Sequence, residues 1–178
     1  MLKILYLKSK GTNMTRQQKF KEWLDSCSFR EVTLLVDLLV CGYLLFYYLR
    51  AVLLASDEQL SDITWLSGLL GNVIIYSIIL MIASYILLAL ASDKELEQPM
   101  DVREKQINLI GYKYSAWILQ IGLGIGIFQY QIEANPFFAD KISMPFLPLH
   151  IMVVAFILAE IVFYGVQLIK GRTGAIYD

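Results

Sequence analysis

The sequence predicts an all-α integral membrane protein, a four-helix bundle preceded by an amphipathic helix at the membrane interface. Three observations predict it. Hydrophobic residues make up 57% of the 178 residues, and the mean hydropathy of +0.57 lies above the usual range of a water-soluble domain. The apolar residues gather in four runs, each long enough to cross a bilayer, since about 20 residues at 1.5 Å each span roughly 30 Å of hydrocarbon. The charges sit in short blocks between those runs, with cations gathered on one side.

Residues 1–31 form a cytoplasmic segment. "MLKILYL" is interrupted by Lys3 and followed by Lys8, and no small-residue cleavage site follows it, so it is not expected to be a signal peptide. Met14 is a second candidate start. From Thr15, with Gln18 three residues on in a capping-box spacing, Phe20, Trp23, Leu24 and Cys27 fall on one face of a helix. That helix is expected to lie on the inner membrane surface or to form a collar against the ends of the spans.

The four-span domain covers residues 32–170, with spans at about 32–55, 68–91, 109–130 and 146–169, and a cytoplasmic tail at 171–178. Backbone polar groups in hydrocarbon must be satisfied within each segment, so each run is a helix. Thirteen of the 15 basic residues lie in the N-terminal segment, the middle loop, the start of the third span and the tail. Only Arg50 and Lys141 lie on the other side, where the first loop, "SDEQLSD", is acidic. Both termini and the middle loop are therefore expected in the cytoplasm, with the spans in a cell inner membrane.

Before the third span comes "MDVREKQI". Pro99 ends what precedes, and Asp101 with Glu104 three residues later predicts a capped helix start near Val102. Asp101 and Lys105 stand four apart in the favourable order. The helix is expected to continue to about Gln131, longer than the hydrocarbon requires, so its first charged turns project into the cytoplasm. They serve either as a headgroup anchor or, through Asp101, Arg103, Glu104 and Lys105, as a docking surface for a cytoplasmic protein partner.

The order two spans, "DVREKQI", two spans and the short basic tail "VQLIKGRTG" resembles a group of small prokaryotic four-span membrane proteins of unknown function. They carry an acidic-acidic-Arg-Glu-x-x-Ile joint before the third span. Asp101, Arg103, Glu104 and Ile107 match that joint, and Val102 departs from it. The resemblance covers about 140 residues of the membrane part. It implies a regulatory or accessory role, because members of that group are often accompanied by small DNA-binding regulators.

Ionisable groups inside spans are costly and are functional candidates. Here they are Asp37, Arg50, Lys113, His150 and Glu160, with Gln120 as a neutral polar neighbour. From their depths, Asp37 and Lys113 are expected to pair, and His150 and Arg50 to reach water at the outer surface. Glu160 lies closest to mid-membrane. It reads either as a neutral carboxyl bonded to Tyr76, Ser84, Tyr85 or Gln120, or as an element of ion or proton movement. In an oligomer it would form an acidic ring. Gly122 and Gly126, four apart, make a small face for close helix packing, with Ser67 and Gly71 as similar sites in the second span. These faces suit contacts within one chain or within a homo-oligomer.

Some chemistry is not expected. A net charge of −1 creates no field that favours nucleic acid. One histidine and two cysteines do not make an ordinary zinc site, and no cofactor is implied. His150 alone is weak support for haem. Cys27 and Cys41 differ in compartment and depth, so no disulfide is expected. No nucleophile motif accompanies His150, and "GLGIG" lies inside a span with no strand before it, which rejects a nucleotide loop. The reading is a non-enzymatic regulatory, sensory or accessory membrane subunit. The alternative is an oligomeric channel or membrane-perturbing effector, in a defence or toxin-immunity setting, lined near Glu160.

Overall fold

The computed structural model describes residues 28–91, 100–135, 137 and 144–173, and no strand occurs among them. Five helices follow in order: α1 Phe29–Leu54, α2 Asp57–Ser61, α3 Ile63–Ala91, α4 Val102–Glu133 and α5 Leu147–Thr173. The expected surface helix carrying Phe20, Trp23, Leu24 and Cys27 lies outside the described residues.

Local chemistry sets the starts. Ser28 caps α1 reciprocally: its hydroxyl oxygen accepts from the Glu31 amide at 3.1 Å, and the Glu31 carboxylate accepts from the Ser28 amide at 3.0 Å. Each bond satisfies a donor that the first turn leaves without a partner. Asp101 and Glu104 form the same kind of box on α4, so that helix begins at Val102 as its sequence predicts. The acidic first loop holds a structure its sequence did not announce. Ser56 and Gln59 box a single turn, α2, over Asp57–Ser61. The chain enters α5 through Phe146 at φ 55°, after which the His150 amide donates to the Phe146 carbonyl oxygen.

The helices pack as an open row, α3–α1–α5–α4. α5 lies between α1 and α4 and packs on both, α1 also packs on α3, and α3 and α4 form no packed pair. A closed four-helix ring is therefore not what the described residues form. The reason lies in α3, which is apolar on every side and offers no distinct stripe to seat a second neighbour. Tyr48 and Val52 of α1, Leu69 and Val73 of α3 and Ile157 of α5 form the core where three helices meet. Between α4 and α5 the contact is made by glycines. A Cβ at Gly122 would overlap that of Ala155, and one at Gly126 would lie 3.3 Å from the Pro148 carbonyl oxygen. Gly111, which the sequence reading passed over, is equally close to Phe163 and Gln167. Ser67 is exposed and Gly71 has open space beside it, so that expected face makes no helix contact among the described residues.

The starts of α1 and α4 and the end of α5 share one end of the molecule, called here the Arg30 end; His150 lies toward the opposite end. Three helices, Phe29–Leu54, Ile63–Leu90 and Leu147–Thr173, are long and apolar enough to cross a membrane. The third expected span lies in α4, which has the length at 32 residues, but its apolar run is diluted by Lys113, Gln120, Gln129 and its glycines.

Candidate functional site

Three polar features interrupt this apolar row. The first is at the Arg30 end, where the joint before α4 is engaged by its own chain. Arg30 of α1 pairs with Glu104 of α4 at 3.0 Å and donates to the side-chain oxygen of Gln167 on α5 at 3.2 Å. Arg103 donates to the Gly171 carbonyl oxygen at 3.2 Å, which satisfies an acceptor in the last turn of α5. Arg172 lies 3.8 Å from Glu31. Asp101 caps α4, and Lys105 is exposed. Of the four residues expected to dock a partner, three thus serve folding contacts, and Lys105 projects from the surface. Gln167 is 3% exposed and central to this knot. Its signal in the sequence was an amide within two turns of the end of α5 that lies beside Arg30.

The second feature is an acid pair between α1 and α5. Asp37 lies on the stripe that continues through Cys41, Leu44 and Tyr48, the buried face of α1. That face carries it toward Glu160, near enough for their charges to interact, with Cys41 and Tyr164 in the same electrostatic neighbourhood. This corrects the expected pairing with Lys113. α5 stands between α1 and α4, and Lys113 is exposed on the latter with no ion pair to Asp37. Among the described residues none of Tyr76, Ser84, Tyr85 and Gln120 bonds to Glu160; Tyr76 instead meets Tyr47 edge-on at 5.4 Å between ring centres.

Glu160 opens into a groove of about 730 Å³ between α1, α3 and α5. α1 and α3 touch through the core near Tyr48 and Leu69, and the groove separates them toward the Arg30 end, from Val40 and Cys41 on one wall to Ser77 and Met81 on the other. Glu160 is the one charged side chain on its walls. Two ionised carboxylates in one neighbourhood repel each other, and a proton or a cation relieves that repulsion.

The third feature was expected in water and is buried. His150 is 4% exposed, and its Nδ1 lies 2.7 Å from the hydroxyl of Tyr48, which is 0% exposed. Nε2 has no partner among the described residues. Donation from the tyrosine O–H to Nδ1 leaves one unmatched group, the Nε2 proton. The reverse arrangement leaves both the tyrosine proton and the Nε2 lone pair unmatched, so the first is preferred. Arg50 is exposed. Among the described residues no group of three potential metal ligands comes together. No protein-family model, curated protein or solved structure matches the chain.

Proposed function

We propose that this chain is a non-enzymatic multi-pass inner-membrane protein, with both termini and the Arg30 end in the cytoplasm, and that its activity is cation or proton handling at Asp37 and Glu160. Three long apolar helices support membrane insertion. So does α3, where Ile74, Ile78 and Ile82 are each more than half exposed, a surface that suits lipid far better than water. α4 crosses as the fourth span, its polar content offset by close packing on α5.

The observation that carries the functional reading is the acid pair itself. α1 and α5 each bring one carboxyl to the same electrostatic neighbourhood, Glu160 at least a dozen residues inside α5 from either end, and neither forms an ion pair among the described residues. Ionisable groups at such depth are expensive, and a structural role would be served as well by a polar amide. As an oligomeric channel, several copies would place Glu160 around a common path.

The test is flux in liposomes reconstituted with purified protein, followed by pH- and potassium-sensitive dyes. Wild type should move protons or potassium above empty vesicles. Glu160→Gln should lose most of that flux, about tenfold or more, and Asp37→Asn should lose part of it. Absence of flux with wild type, or full flux with Glu160→Gln, would remove the proposal.

The second reading, a regulatory or accessory subunit, is favoured by one observation: beyond its contacts near Leu69 and Val73, most of the surface of α3 is left uncovered by the described residues. A larger membrane partner would cover it. Capture of a stoichiometric partner by tagged protein from native membranes, lost when α3 is replaced by an unrelated polyleucine span, is the expected outcome on that reading.

A further inference from the structure

We propose that the groove holding Glu160 binds an amphiphilic organic cation, one that carries a positive charge on a body of aromatic or aliphatic groups and enters sideways from the bilayer. The inference rests on the carboxyl site of the preceding section and names its ligand class.

Three properties of the groove select that class. Its volume of about 730 Å³ lies in the range of small-molecule sites, about 300–1,000 Å³, and is far larger than a dehydrated metal ion needs. Its walls are apolar except at Ser77, Tyr164 and the single carboxyl, whereas a site for an inorganic cation offers several oxygen ligands. Phe156 and Tyr164 supply ring faces, and Met81 and Met152 supply flexible, polarisable surface, the residues that accommodate bulky cations of varied shape. The groove lies between helices long and apolar enough to span a membrane, so a ligand dissolved in lipid reaches it without crossing water.

Charge complementarity fixes the sign. From α1 the ionisable groups in this neighbourhood are Asp37 and Cys41; α5 adds Tyr164, α4 has Tyr112 in the same electrostatic neighbourhood, and α3 contributes no ionisable group to the wall, where Ser77 stands among apolar residues. Among the described residues no cationic side chain lines it. A neutral ligand would leave the repulsion between the acids unrelieved, and an anion would increase it. Binding is an ion pairing: the carboxylate of Glu160 meets the incoming cation inside an apolar wall, so one charge offsets the other.

The experiment uses full-length protein in lipid nanodiscs with tetraphenylphosphonium as probe, measured by calorimetry, and triphenylphosphine oxide as a neutral analogue of similar shape. Saturable binding of the cation is expected, at least tenfold tighter than the neutral analogue. Glu160→Gln should abolish saturable binding, and Glu160→Asp, which keeps the charge, should retain weakened binding. Unchanged helicity and particle size in both variants show that folding is intact.

Equal binding of cation and neutral analogue, or saturable cation binding that survives Glu160→Gln, would overturn the inference and leave a lipid-filled groove. If the probe fails to bind while Glu160-dependent flux of protons or potassium persists, this inference falls and the carboxyl site stands. If both fail, both fall.

Discussion

Gly122 shows how much one hydrogen atom decides. Its missing Cβ lets α4 lie directly on Ala155 of α5, while Gly124, two residues on, faces open space. Gly122→Ala should therefore destabilise the protein by about 1–3 kcal/mol, the usual cost of forcing extra volume into a packed contact. Adding Ala155→Gly in the same chain should recover most of the loss. Gly124→Ala should be neutral; thermal unfolding in detergent, followed by circular dichroism, checks all three. Tyr48 and His150 give a second prediction at this scale. Tyr48→Phe leaves both ring nitrogens without partners and should cost about 1–2 kcal/mol. Replacing both residues by apolar ones of similar shape should cost less than the single change, because no orphan group remains. The same thermal series measures it. Neither the Tyr48–His150 pair nor the meeting of Asp37 with Glu160 was legible in the sequence. Depth along each helix can be counted from the sequence, but rotation about the helix axis and the identity of the neighbour cannot. Depth alone matched Asp37 to Lys113, and the place of α5 between their helices prevents it.

At the scale of elements, helix starts were the most legible part, because they depend on residues within one turn. Ser28 with Glu31 and Asp101 with Glu104 set the first residues of α1 and α4 through local hydrogen bonds. α2 escaped notice because five residues carry no apolar period, although Ser56 and Gln59 stood at capping-box spacing. The ties between helices at the Arg30 end are unequal. Glu104→Gln removes a partly exposed ion pair worth about 0–1 kcal/mol but keeps an acceptor for the Asp101 amide. Arg30→Ala removes that pair and also strips the buried Gln167 of its donor, so its cost should be larger, about 1–2 kcal/mol. Comparison of the two unfolding midpoints at low and high salt should show the Glu104→Gln difference shrinking with salt. The difference caused by Arg30→Ala should persist.

For the whole molecule, the clustering of helix ends makes a prediction about sidedness. Single cysteines placed at Glu58 and at Lys105, in a chain whose own cysteines are replaced by serine or alanine, should label from opposite sides of sealed inverted and right-side-out vesicles. A membrane-impermeant maleimide should reach position 58 only from outside the cell and position 105 only from the cytoplasm. Labelling of both from one side would overturn the proposed orientation. The all-helical class was legible from four apolar runs, but closure was not, since α3 carries no sign of which side meets a neighbour. The open row has a further consequence for biogenesis. If the chain inserts as proposed, α4 and α5, seated on one another through glycines and backbone, would pair as one hairpin, and α1 with α3 would join it afterwards by lateral diffusion, so the last segments made would form the first closed contact.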